Sequence, residues 1–87
     1  MEYYVYILSC ADGTLYTGIT TDLARRISDH NRKKGARYTA SRTPVVLVYS
    51  ECHDNRSEAL KRELEIKGMK REDKIKLIDT QKKYAAK

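Results

Sequence analysis

Eighty-seven residues fold as one small domain that removes only ~60–65% of its unfolded surface from water, which excludes a large buried cofactor pocket. Charged residues make up 34% of the chain, yet Val, Ile, Leu and Tyr still fall in clean runs, which excludes general disorder. The net charge of +6 points to an anionic partner, and a phosphate backbone is the commonest one.

No apolar run approaches the ~20 residues of a membrane span, and the first residues lack the charged-then-apolar order of a signal peptide. A cytoplasmic protein without membrane contact is therefore expected, with the oligomeric state open and a monomer sufficient. Cys10 and Cys52 stand far apart without CxxC or Cys/His ligand spacing, so free thiols are expected rather than a structural zinc site.

Residues 3 to 9 are β-branched or aromatic on both parities, the pattern of a central strand covered on both faces. Ala11-Asp12-Gly13 then turns the chain into a second strand from Thr14 to Ile19. If Asp12-Gly13 formed a two-residue turn, Tyr16 would share a face with Ile7 and Val5. A three-residue loop with Gly13 left-handed instead sets Leu8 opposite Tyr16 and Tyr6 opposite Gly18. Only that register puts Tyr4, Tyr6 and Tyr16 on one face.

Thr20, Thr21 or Asp22 can cap a helix from Leu23 to Lys33, with Gly35 as its stop. Leu23 and Ile27 mark its buried stripe. Arg26 and His30, four apart, lie on one side beside that stripe, while Arg25 points away. Residues 36 to 44 read as a basic loop, and Pro44 introduces a third strand, Val45 to Ser50.

Asp54, Asn55 or Ser57 can cap the next helix, Arg56 to Gly68. With Leu60 at zero and about 100° per residue, Leu64 falls at about +40°, Ala59 at about −100°, Ile66 at about −120° and Glu63 at about −60°. A carboxylate inside an apolar arc costs several kcal/mol unless it has a partner. Glu63 either pairs with Lys67 at the rim, or faces a polar cleft as a metal ligand or as the partner of Arg26 or His30. Ile75, Leu77 and Ile78 suggest a short third helix from Lys70. The expected single domain covers residues 1 to 80, and 81 to 87 form a basic, frayed tail.

These residues resemble the GIY-YIG nuclease superfamily, most closely its small stand-alone bacterial members, over roughly residues 2 to 78. Tyr4-Val5-Tyr6 stands where the family has Gly-Ile-Tyr, and Tyr16-Thr17-Gly18 where it has Tyr-Ile-Gly. Arg26 lies at the family's spacing for its catalytic Arg, His30 where several members carry His, and Glu63 on the helix that supplies the metal-binding Glu. The first motif lacks its Gly. No residue corresponds to the Asn that many members place after the Glu helix, since Asn31 and Asn55 come too early.

The resemblance implies an α+β fold: a small three-stranded antiparallel sheet, hairpin plus third strand, flanked by three helices in the order ββαβαα. It implies phosphodiester hydrolysis with one divalent cation, Mg or Mn, held by Glu63, and a scissile phosphate clamped by Arg26. Tyr16 would be the general base, with Tyr6 or His30 orienting water; His30 is chemically the easier base. The bland alternatives are sheet packing for Tyr6 and Tyr16, a core-edge hydrogen bond for His30, and an ion pair with Asp22 or Asp29 for Arg26. Arg25, Arg32, Lys33, Lys34, Arg37 and Arg42 would track the backbone of nucleic acid. DNA is expected over RNA, because no exposed aromatic platform for stacking bases is evident, and the activity would be structure-selective and repair-related. The competing class is a nucleic-acid-binding module on the same fold that does not cut. If the nuclease expectation holds, the Tyr6 and Tyr16 hydroxyls, the Arg26 guanidinium and the Glu63 carboxylate should converge on one cleft.

Overall fold

The computed structural model describes residues 1 to 85. β1 (Tyr3–Ser9) lies between β2 (Leu15–Thr20) and β3 (Val46–His53) in an antiparallel sheet of order β2-β1-β3. α1 (Leu23–Asn31) and a single turn, α2 (Arg37–Ala40), separate the hairpin from β3, and α3 (Arg56–Lys67) and α4 (Arg71–Ala85) follow it. This is the expected α+β arrangement, with α2 as an extra turn inside the basic loop. Four residues are too few for a helical period to be read from sequence.

The hairpin takes the three-residue loop. Gly13 has φ +85°, and Leu8 faces Tyr16 while Tyr6 faces Gly18. A backbone in that region suits glycine because a Cβ would crowd the neighbouring carbonyl.

Both faces of β1 are buried. On one side Val5 and Ile7 pack with Tyr49, Ala59, Ile66 and Ile78, beneath α3 and α4. On the other, Tyr6, Leu8, Cys10 and Val45 pack with Leu23 and Ile27 of α1. Val5, Ile7 and Leu8 are fully buried, which is worth about 2 kcal/mol each. A bulge in the β1–β3 ladder sends Leu47 toward the second cluster, and Val48 and Tyr49 toward the first.

Four features differ from expectation. α1 ends at Asn31, and Lys33 rather than Gly35 takes the left-handed position, at φ 64°. Its N–H donates to the His30 carbonyl at 3.0 Å and the Lys34 N–H to the Asp29 carbonyl at 2.8 Å, the paired pattern that closes a helix. β3 runs on to His53, where it still pairs with Tyr3 of β1, and Glu51 within that extension binds Tyr49, the His53 ring and, at 2.7 Å, Arg62 of α3. In α3 the buried arc runs through Ala59 and Ile66, and Leu64 is 69% exposed, so the apolar face is narrower than its leucines suggested. α4 is longer than the short helix expected and runs to Ala85, into the expected tail of residues 81 to 87. Gln81 donates to the Ser50 carbonyl at 2.6 Å and accepts from the Ser50 N–H at 3.2 Å, which holds α4 against β3. The last two residues of the expected tail, 86 and 87, lie outside the described residues.

The two left-handed positions should respond oppositely to substitution. Nothing lies within 4 Å of a Cβ built on Gly13, so Gly13→Ala should cost about 1 kcal/mol through backbone strain alone. Lys33→Gly should instead raise stability by about 0.5 kcal/mol, the relief of left-handed strain less the added chain entropy. Urea denaturation of the two variants measures both signs.

Candidate active site

The site is built on Tyr6. Its partner across the ladder, Gly18, has no side chain, and the Tyr6 ring lies over it; a Cβ there would stand 2.5 Å from the phenol oxygen. The ring is buried, and its hydroxyl lies 2.9 Å from Nε2 of His30. α1 delivers that histidine. Asp22 caps the helix by accepting from the Arg25 N–H at 3.1 Å, Leu23 and Ile27 anchor it, and His30 in its last turn is fully buried.

On its far side Nδ1 of His30 lies 2.7 Å from Oγ1 of Thr39, and the Ala36 N–H approaches the same nitrogen at 3.4 Å. The Thr39 hydroxyl donates to the Ala36 carbonyl at 3.0 Å, which leaves it to accept from Nδ1–H and leaves Nε2 to accept from the Tyr6 hydroxyl. Gly35 is required here for space: a Cβ on it would stand 2.4 Å from Nδ1. Asn31 pins the same corner by accepting from the Val45 N–H at 2.7 Å and donating to the Val45 carbonyl at 3.1 Å.

Burial, and then the Arg26 guanidinium, hold His30 below its ordinary 6.5, against a smaller pull from Asp29. Burial also raises the Tyr6 phenol. Arg26 beside its hydroxyl opposes the rise, while Tyr16 and Glu63 add to it. The Tyr16 ring centroid lies 6.4 Å from that of Tyr6 and 5.3 Å from that of His30.

Glu63 keeps only 15% of its side chain exposed and holds the Lys67 ammonium at 3.3 Å. The intrahelical partner expected of it is thus in place. Arg26 is in no close ion pair with Asp22 or Asp29 among the described residues.

The basic residues are spread more widely. Arg25 is exposed at the start of α1 beside a polar cleft of about 220 Å³ shared with Arg26, Asp22 and Asp29. Arg32, Lys33, Lys34 and Arg37 are exposed beyond its other end. Arg42 is committed within the fold: it bonds Asp12 at 2.9 Å and the Tyr38 carbonyl at 2.8 Å, and its guanidinium lies 3.9 Å over the Tyr38 ring.

Sequence reasoning missed Thr39 and Tyr38. Thr39 gave no signal, since its role depends on how α2 folds back onto α1. Tyr38 did give one, a tyrosine flanked by cations in a basic loop, and the structure corrects the expectation that no exposed aromatic stands near the site. Tyr38 is 39% exposed and stacks with Tyr16 at 6.0 Å.

Among the described residues no three His, Cys, Asp or Glu side chains cluster as metal ligands. Glu63, already holding one cation, fits a hard cation that takes a single carboxylate and completes its shell with water and phosphate oxygens.

The family model described as the GIY-YIG catalytic domain matches residues 2–76, and the chain belongs to that family. A UPF0213 protein of Staphylococcus haemolyticus is 53% identical over 78 residues, spanning 90% of this chain and 95% of its own. One of Haloquadratum walsbyi is 56% identical over 77 residues, spanning 88% and 86%. The solution structure of a UPF0213 protein from Bacillus halodurans is 45% identical and superposes with a TM-score of 0.61 over 92% of this chain and 85% of that one. A second solution structure, from E. faecalis, is 35% identical, with a TM-score of 0.62 over 100% and 90%. The protein is therefore a small GIY-YIG domain protein similar to the UPF0213 group. No helix among the described residues is long and apolar enough to cross a membrane.

His30 makes the stability of this corner depend on pH. Its pKa is lower folded than unfolded, so the unfolded chain binds the extra proton first and stability falls as pH drops below about 6.5. Melting temperature followed from pH 7.5 to 5 should decline in the wild type, and His30→Gln should flatten that decline while lowering the whole curve.

Proposed function

We propose that the protein is a divalent-cation-dependent nuclease that hydrolyses DNA phosphodiester bonds. The observation that carries this reading is that the buried Tyr6 hydroxyl lies 2.9 Å from Nε2 of His30 with the Tyr16 ring against both, at the residues that match the family's motifs. Phosphodiester hydrolysis requires an activated water, neutralisation of the phosphoryl oxygens and protonation of the departing sugar oxygen. Arg26, free of a close acidic partner, offers a planar fork to the scissile phosphate.

Full burial keeps His30 from touching water, and its Nε2 already holds Tyr6. Tyr6, only 1% exposed, is buried with it, so the pair acts by position: Tyr6 and His30 fix the ring of Tyr16, which lines the entry half-exposed and orients the attacking water. That water forms the new P–O bond and loses its proton to solvent, the bond to the sugar oxygen breaks, and that oxygen takes a proton from solvent. Glu63 would hold the Mg or Mn ion, which when bound supplies charge compensation and lowers the pKa of coordinated water. Arg25, Arg32, Lys33, Lys34 and Arg37 supply the surrounding positive potential.

The alternative, a module that binds without cutting, is favoured by one observation: Lys67 already neutralises Glu63. An assay with Mg²⁺ or Mn²⁺ on single-stranded, duplex, flapped and branched DNA separates the two. The nuclease reading expects cleavage, lowered about 100-fold or more by Arg26→Ala, Glu63→Gln or Tyr6→Phe. Binding without cleavage on every substrate would establish the module, and cleavage surviving all three substitutions would remove the site.

A further inference from the structure

A second cleft of about 250 Å³ adjoins the candidate active site, lined by Leu15, Tyr16, Thr17, Tyr38, Lys67 and Lys74. It wraps the outer edge of β2, where four elements meet: β2, α2, α3 and α4. Two of its residues also belong to the first site. Tyr16 stacks with Tyr38 on one side and touches His30 on the other, and Lys67 holds Glu63.

Three features of this cleft are unexplained by folding. Tyr38 keeps 39% of its surface exposed although it is stacked with Tyr16 and braced by Arg42, so a large aromatic side chain is held rigidly in contact with solvent. Thr17 is only 4% exposed, and its hydroxyl is buried with no hydrogen-bond partner among the described residues. An orphaned buried hydroxyl costs about 1–3 kcal/mol, which a bound polar group would recover. Lys67 and Lys74 bring two ammonium groups to the opposite wall, and Lys74 is in no close ion pair among the described residues.

We propose that this cleft takes one unpaired nucleotide of the substrate strand, next to the phosphate held at Arg26. The base packs on the exposed part of the Tyr38 ring, the Thr17 hydroxyl bonds a polar group of the base or sugar, and Lys67 and Lys74 hold the neighbouring phosphate. A planar base stacked on a rigid phenol, with cations along the backbone, is the general means by which single strands are held without reading sequence. The cleft is an open groove of about 250 Å³, below the ~300–1,000 Å³ of sites that enclose drug-sized ligands and of a size for one base with its sugar. Lys67 would turn from Glu63 to the incoming phosphate, which frees the carboxylate as the strand arrives. The inference rests on the nucleic-acid reading above and adds its substrate class, a strand with at least one unpaired nucleotide at the cut.

The test is equilibrium binding in EDTA, followed by fluorescence anisotropy of a fluorescein-labelled oligothymidylate and of a duplex. Wild type should bind the single strand more tightly than the duplex. Tyr38→Ala should weaken single-strand binding about tenfold or more and change duplex binding less than twofold, and Tyr38→Phe should restore it because the ring alone supplies the stack. Lys74→Ala should lower the slope of log Kd against log salt by about 1 on the single strand. Equal loss on both nucleic acids, or no loss in Tyr38→Ala at unchanged melting temperature, would overturn the subsite and leave the nuclease reading standing. If wild type binds neither oligonucleotide, the nucleic-acid reading falls and the subsite with it.

Discussion

The hydrogen bond between Tyr6 and His30 is the constraint on which the rest of the site depends. An imidazole buried out of reach of water has two nitrogens to satisfy, and leaving either unpaired costs about 1–3 kcal/mol. Tyr6 on the central strand serves one and Thr39 on the single-turn helix serves the other. Each side then needs room, and glycine supplies it: Gly18 beneath the phenol ring and Gly35 against the imidazole. The helix must also stop early enough for its chain to fold back, which explains why a lysine tolerates a left-handed backbone at residue 33.

That arrangement places the candidate site at a seam. Tyr6 and His30 belong to the core layer under α1, whereas Glu63 comes from α3, which packs on the opposite face of the sheet. The two layers approach each other around β2, which pairs with only one strand. Charged groups can gather there without entering either apolar cluster. The same edge carries the second cleft, so a strand of nucleic acid following it would meet first the tyrosine stack and then the Arg26 fork.

Much of this was legible in the sequence where a periodicity could be tested against geometry. The hairpin register followed from asking which loop puts Tyr4, Tyr6 and Tyr16 on one face, and Glu63 stood out because a carboxylate broke an apolar arc. The resemblance to GIY-YIG proteins then attached roles to residues already marked by pattern. What could not be read depends on distances between elements rather than along them. Thr39 reaches His30 only because α2 folds back, Arg42 is spent on Asp12 across the hairpin loop, and Leu64 is exposed because α3 buries itself through Ala59 and Ile66. Gly35 reads as a helix stop on sequence grounds, and its packing role becomes visible only once the imidazole is in place.

Gln81 carries one more consequence. β3 ends the sheet on the side away from the hairpin, and a strand in that position offers unpaired amides to any extended chain nearby. By answering both the N–H and the carbonyl of Ser50, the Gln81 carboxamide imitates one residue of a neighbouring strand. The last helix thus occupies, through one side chain, hydrogen-bonding positions that an added strand would use. A foreign strand approaching β3 would have to displace this one side chain at its middle, on the edge of the sheet opposite β2.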